Sequence, residues 1–214
     1  MKIFMIKGVH DSGKTTLVAG VIRELVSRGH TVGTIKDIHA EDFHMDRPGT
    51  DTCLHAESGA QIVVARGLNE TDVMVQRKMS FNELLPLFSQ DFLILEGDPG
   101  VSCPNLVTGH DEADLDRRAD GLTVCFGGLV AERLNEYTGK PVYRTQTHLM
   151  EITDMIEEKA MDTNKKEERQ LKLYFNDEEV PMVPFVESFL RSTLLGMMSE
   201  LKGFEEDTKV RIEL

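Results

Sequence analysis

Gly8-Val9-His10-Asp11-Ser12-Gly13-Lys14-Thr15 fills every fixed position of the pattern G-x-x-x-x-G-K-[ST]. The apolar run Lys2-Ile3-Phe4-Met5-Ile6 leads into it and reads as a buried strand. After it, Leu17, Val18, Val21, Ile22 and Leu25 recur at helical spacing, and Gly29 stands where a left-handed C-terminal cap would end the helix. Strand, glycine loop and helix in that order predict a phosphate-binding loop.

The chemistry follows from residue type. Gly8 and Gly13 allow the backbone to approach a polyphosphate, and His10, Asp11 and Ser12 present successive N–H groups to it. Lys14 is expected to reach the β- and γ-phosphates, and the Thr15 hydroxyl to ligate Mg²⁺ beside Thr16. The motif therefore predicts a nucleoside triphosphate as ligand, while the residues leave the base open.

At 214 residues the chain can bury the core of one domain with a small appendage. Its 24 basic and 37 acidic side chains give a formal charge of −13, which disfavours non-specific nucleic-acid binding. Cys53, Cys103 and Cys125 form no C-x-x-C pair, so neither a zinc site nor a disulfide framework is expected, and a reducing cytoplasm fits. No leader pattern or run of 18 apolar residues appears, and no membrane contact is expected.

Further strands are predicted over Thr31 to Lys36, Ile62 to Ala65, Asp72 to Gln76, Phe92 to Glu96, Leu122 to Phe126 and Pro141 to Arg144. Helices are predicted near Asp51 to Ser58, after the Ser80/Glu83 capping box, over Leu129 to Tyr137 ending at Gly139, and over His148 to Glu158. The charged run from Asp111 to Arg118 reads as a solvated loop. The alternation implies an α/β protein of the P-loop NTPase type, a doubly wound, mostly parallel sheet with helices on both faces. Residues 1–161 form this domain, 162–170 a polar linker, and 171–214 a small C-terminal β-α-β extension, with strands expected over Leu171 to Phe175 and Val210 to Leu214 around a long apolar helix stripe, a piece marginal in stability alone.

Four apolar residues ending in Glu96-Gly97 have the form of a Walker B strand, placing Glu96 near the metal and the γ-phosphate, with Asp98 beside it. The loop from Lys36 to Asp51 concentrates Lys36, Asp37, His39, Glu41, Asp42, His44, Asp46, Arg47 and Asp51 where a segment could sense the γ-phosphate or receive an acceptor. Its two histidines match no established metal-ligand spacing. Asn164-Lys165-Lys166-Glu167 differs from the guanine-reading N-K-x-D in carrying Glu for Asp and in following a helix, and is read as linker charge; Thr145 to Thr147 is the better-placed candidate for touching the base.

The phosphate loop, Thr34-Ile35-Lys36, Asp46-Arg47-Pro48-Gly49-Thr50-Asp51-Thr52, Ser58-Gly59-Ala60 and Leu93-Ile94-Leu95-Glu96-Gly97 together resemble the MobB family, molybdopterin-guanine dinucleotide biosynthesis protein B. The resemblance covers about the first 160 residues, and the tail from Leu171 looks like an extension of some archaeal members. It implies a GTP- and Mg²⁺-binding accessory protein, at most a slow GTPase and often a homodimer, that assists a MobA-like guanylyltransferase in molybdenum or tungsten cofactor maturation. It also implies nucleotide contacts by Gly8, Gly13, Lys14, Thr15 and Thr16, extending to Lys36, Asp46, Asp51 and Glu96. Asp37 stands where the family usually has His, Asp98-Pro99 where it continues with Phe-Lys, and Asn105 follows Pro104 where it has Lys. Those departures keep two alternatives in view, a small-molecule kinase and a nucleotide-gated binding module of a divergent paralogue.

Overall fold

The computed structural model describes residues 1–40, 43–163, 173–175, 178–180, 190 and 193–194. The chain divides into two compact units, Met1–Asn164 and Lys165–Leu214. In the first, β1 (Lys2–Gly8), β2 (Val32–Lys36), β5 (Phe92–Glu96), β6 (Asn105–Thr108), β7 (Thr123–Gly127) and β9 (Lys140–Tyr143) run parallel in the order β2-β5-β1-β6-β7-β9. A short antiparallel strand, β8 (Glu136–Tyr137), edges β9. Another, β10 (Met161–Asp162), pairs with Lys2 and Ile3 at the start of β1.

Alternation along the central strands builds a core on each face. Phe4, Ile6, Ile94, Leu106 and Cys125 pack against α1 (Lys14–Ser27) and α5 (Leu149–Lys159). Ile3, Met5, Leu93 and Leu95 pack on the other side against Phe81 of α3 (Phe81–Leu84) and against Leu85 and Phe88. The first strand is consequently buried from Ile3 through Lys7, as a parallel strand covered on both faces must be. Helix α1 faces the sheet with Leu17, Val18, Val21 and Leu25, each buried aliphatic side chain contributing about 1.5–3 kcal/mol relative to exposure. Gly20 lets α5 close on α1, because a Cβ there would stand 3.0 Å from Leu149.

The capping box is present: Glu83 N–H donates to the Ser80 hydroxyl at 3.4 Å, and Ser80 N–H to the Glu83 carboxylate at 2.9 Å. Pro86 then limits α3 to four residues and a 3₁₀ turn over Leu85–Leu87. β3 (Ile62–Arg66) and β4 (Thr71–Val75) form a separate two-stranded antiparallel hairpin, with α2 (Asp51–Glu57) against β3.

Two expectations are corrected. The segment Leu129 to Tyr137 is not one helix: it is a 3₁₀ turn over Leu129–Glu132 followed by β8. Thr138 and Gly139, at φ 48° and 75°, make the two-residue hairpin turn into β9, so Gly139 closes a turn instead of a helix. The run from Asp111 to Arg118 is not a loop but α4 (Glu112–Arg118), capped by Asp111, whose carboxylate accepts from Asp114 N–H at 3.0 Å. One fully buried residue, Leu115, anchors it against Val107 and Phe126.

In the second unit, β11 (Leu173–Phe175) pairs antiparallel with β12 (Glu178–Val180), and Leu190, Thr193 and Leu194 are helical. The rest of the expected apolar helix and the expected strand Val210 to Leu214 lie outside the described residues. Among the described residues, no helix is long and apolar enough to cross a membrane.

Candidate nucleotide site

Because six strands run parallel, their C-terminal ends and the loops beyond them gather along one edge of the sheet. Gly8, Lys36, Glu96, Thr108 and Gly127 stand at that edge on β1, β2, β5, β6 and β7. The loop after β1 sits tightly on its neighbours. A Cβ at Gly8 would fall 2.2 Å from the Thr108 carbonyl oxygen, and one at Gly128 would fall 2.4 Å from the Ser12 carbonyl oxygen. Ser12, fully buried, donates its hydroxyl to Val9 O at 2.8 Å and shares a 2.6 Å hydrogen bond with the Thr108 hydroxyl. His10 and Asp11 form the exposed tip, paired at 2.8 Å. Gly13 caps α1 without a side-chain bond, leaving the first-turn N–H groups to an incoming anion.

Lys14 folds back so that its ammonium donates to Val9 O. Burial lowers its pKa, the charges of Arg118 and Lys36 push the same way, and Glu96 and Asp11 oppose them. Thr15 donates to Glu96 Oε1 at 2.7 Å, and Lys36 Nζ lies 3.1 Å from the same oxygen. The structure therefore brings Lys14, Thr15, Lys36 and Glu96 together; Thr16 is exposed on the same first turn of α1. A hydroxyl and a buried carboxylate converging at hydrogen-bond distance are hard oxygen donors of the kind a divalent cation such as Mg²⁺ takes.

Asp46 and Asp51 are placed otherwise. Asp46 accepts from Arg47 N–H at 2.8 Å and from the Thr50 hydroxyl at 2.7 Å, and Thr50 in turn accepts from Cys53 N–H as the cap of α2. Asp51 lies exposed in the first turn of that helix. Both residues thus build the α2 N-terminus. Among the described residues no group of three His, Cys, Asp or Glu side chains is arranged to hold a metal, and His44 is exposed.

The departures from the family pattern also find places. Asp37 follows Lys36 with its side chain only 9% exposed, 3.3 Å from His39 Nε2 and 3.5 Å from Lys78 Nζ, and its N–H donates to Glu96 O at 2.9 Å. The histidine two positions on is thereby drawn toward the end of β2. Asp98 is exposed and accepts from Gly100 N–H at 3.2 Å. Asn105 pairs with Met5, three positions before Gly8, so it lies away from the phosphate edge. It donates to Asp120 at 2.9 Å and accepts from Thr123 at 2.8 Å, and Lys7 supplies the buried cation to Asp120. Burial pushes the Asp120 carboxyl up, but the Lys7 ammonium, the Asn105 amide and Leu122 N–H outweigh it and hold the pKa at about 2.

Sequence reasoning missed the strand β6 and the turn that leads from it into α4. His110 is pinned there by Asp114, whose Oδ2 accepts from the His110 N–H at 3.0 Å and lies 2.9 Å from Nδ1, while Arg133 donates to His110 O at 2.6 Å. The signal was present as Leu106-Val107-Thr108-Gly109, a short apolar run closed by glycine.

Fold and loop place the chain in the P-loop NTPase-like class, a mostly parallel α/β sheet with its glycine loop between the first strand and first helix. The family model for molybdopterin guanine dinucleotide synthesis protein B matches residues 3–113, and the chain belongs to that MobB family. A Methanocaldococcus jannaschii relative described as a molybdopterin-guanine dinucleotide biosynthesis adapter protein is 26% identical over 236 residues, covering 100% of this chain and 97% of its own. The crystal structure of Bacillus subtilis MobB superposes with a TM-score of 0.64 at 20% identity, over 75% of this chain and 98% of that one. A Bacillus stearothermophilus MobB homologue gives 0.57 at 19% identity, over 74% and 99%.

Proposed function

We propose that this chain is a GTP-binding adapter of molybdopterin guanine dinucleotide synthesis, with at most slow GTP hydrolysis, that serves a MobA-like guanylyltransferase. The observation that carries the reading is the joining of the phosphate loop to the Walker B strand through Thr15 and Glu96 at 2.7 Å. Thr15 and Glu96 would hold Mg²⁺, which supplies charge neutralisation at the β- and γ-phosphates when bound. Lys14 would leave Val9 O for the phosphates, and Lys36, beside Glu96, would add a second cation at the γ-phosphate end. Guanine and the partner enzyme come from the family resemblance and the relative's description.

A homodimer is part of the proposal. Ile62, Val64 and Val73 are 60%, 54% and 59% exposed, and their register with Val75 puts all four on one side of the β3–β4 hairpin. Such a contiguous apolar face is what an interface between two copies would cover.

Calorimetric titration with GTP, ATP and their diphosphates in Mg²⁺, alongside Lys14→Ala, tests the reading. Selective GTP binding that the variant loses is expected. Equal, weak binding of every nucleotide to both proteins would overturn it, and preferred ATP binding would favour a kinase-like paralogue.

A further inference from the structure

The sheet gives the bound nucleotide a direction. The metal-side group, Thr15 with Glu96, lies on the β5 side of β1, and Lys36 lies beyond it on β2. A triphosphate whose γ end faces that side must carry its nucleoside across β1 toward β6 and β7. This is also where the connections diverge: α1 leads from β1 to β2 on one side, and β6 and β7 follow on the other. In open parallel sheets ligands lie in the crevice at such a divergence.

The floor of that crevice is backbone at van der Waals limits. The close approach of Gly8 to Thr108 and of Gly128 to Ser12 and Gly109, the Val130 N–H bond to Gly109 O at 3.0 Å, and the Ser12–Thr108 hydroxyl pair leave room for no larger side chain between the loops. Two residues beyond the end of β6, past Gly109, stands His110. Its N–H, its carbonyl and one ring nitrogen are all held, by Asp114 and by Arg133. Asp114 is itself buried, its other oxygen taken by Arg117 and its own N–H by Asp111. Nε2 is the one polar atom of His110 with no partner among the described residues, and the side chain is 43% exposed. A histidine whose backbone is held at two points and whose ring is held at Nδ1, with Nε2 presented, is a pre-organised hydrogen-bonding group.

We propose that His110 contacts the nucleoside of the bound nucleotide, the sugar and base lying over the loops after β6 and β7. The claim rests on the nucleotide-binding reading above and assigns the end of the site that the phosphate loop does not. It displaces Thr145 to Thr147 as the nearest candidate. Those residues follow β9, three strand spacings or about 14 Å from β1, whereas His110 follows the adjacent strand.

The test compares GTP, GDP and inorganic tripolyphosphate, each with Mg²⁺, on the full chain carrying His110→Ala, His110→Gln or Lys14→Ala. His110→Ala is expected to weaken GTP and GDP about tenfold, the loss of one good hydrogen bond, and to leave tripolyphosphate unchanged. Unchanged tripolyphosphate binding also shows that the loop is still folded. An equal loss for all three ligands, or no loss for any, would overturn the proposal. A wild-type chain that binds none of the three, or a Lys14→Ala chain that binds them undiminished, would instead remove the nucleotide reading on which it stands.

Discussion

The Thr15 hydroxyl donates to Glu96 Oε1 across 2.7 Å, tying the first turn of α1 to the last residue of β5. Two elements separated by about eighty residues of chain thus meet on one oxygen, which Lys36 also approaches. If this oxygen faces the metal, Glu96→Gln keeps the shape and removes the charge. The Mg²⁺ concentration needed for half-maximal GTP binding is then expected to rise at least tenfold, with metal-free nucleotide affinity little changed. Calorimetry over a Mg²⁺ series measures this, and an unchanged midpoint would remove Glu96 from the metal.

Gly128 is as closely packed as Gly8 of the phosphate loop. Its Cβ would overlap the Ser12 carbonyl oxygen at 2.4 Å, and its φ is 88°. Gly128→Ala is expected to cost about 3 kcal/mol of stability from overpacking and backbone strain together, and to weaken triphosphate binding by displacing Ser12. Denaturant melts and titration on the same variant check both halves.

The Lys7–Asp120 pair makes stability depend on acid. With Asp120 held at about 2, below the ordinary value near 4, its contribution is complete above pH 4 and lost as the pH falls from about 4 to 2. Asp120→Asn is expected to lower stability at pH 7 by about 2 kcal/mol, less than for a fully buried pair because Asp120 is half exposed, and to flatten the acid limb. Urea titrations at pH 3 and pH 7 decide it.

Val64→Lys places a charge in the middle of the hairpin face while leaving Val63, which is buried, in place. If this face joins two copies, light scattering after size exclusion shows a dimer for the wild type and a monomer of unchanged melting temperature for the variant. A monomeric wild type at micromolar concentration would contradict the interface.

The three thiols should differ in reactivity. Burial pushes Cys103 up to about 12 and Cys125 higher still, whereas Cys53 is raised, by desolvation and then by Glu57, but lies part-exposed on α2. Alkylation of the native chain at pH 8 followed by mass spectrometry is expected to label Cys53 slowly and the other two only after unfolding.

Where local chemistry decides structure, the sequence was readable: the phosphate loop between β1 and α1, the Walker B strand ending at Glu96, and the Ser80–Glu83 capping box. It was unreadable where tertiary contacts override composition. α4 carries five charges over seven residues and its one buried apolar side chain is Leu115, so its apolar period is too sparse to detect. β6 has only Leu106 and Val107 between polar ends, and both ends are buried through hydrogen bonds to Asp120 and Ser12 that no local pattern announces. Missing β6 hid His110. Asp46 reads two ways in the sequence, since an acid beside Arg47 and Thr50 serves equally a phosphate site or a helix cap, and the structure shows it bonded to Arg47 N–H and the Thr50 hydroxyl before α2.

The short strand β10 returns the chain to where it began: Thr163 donates through both its N–H and its hydroxyl to Met1 O at 2.9 Å. The beginning and the end of the first unit are therefore neighbours at the starting edge of the sheet, opposite the phosphate loop. A tether, label or fused domain attached at Met1 would share that end with the outgoing chain and leave the path of an incoming nucleotide clear, and the same adjacency makes this unit a natural subject for circular permutation.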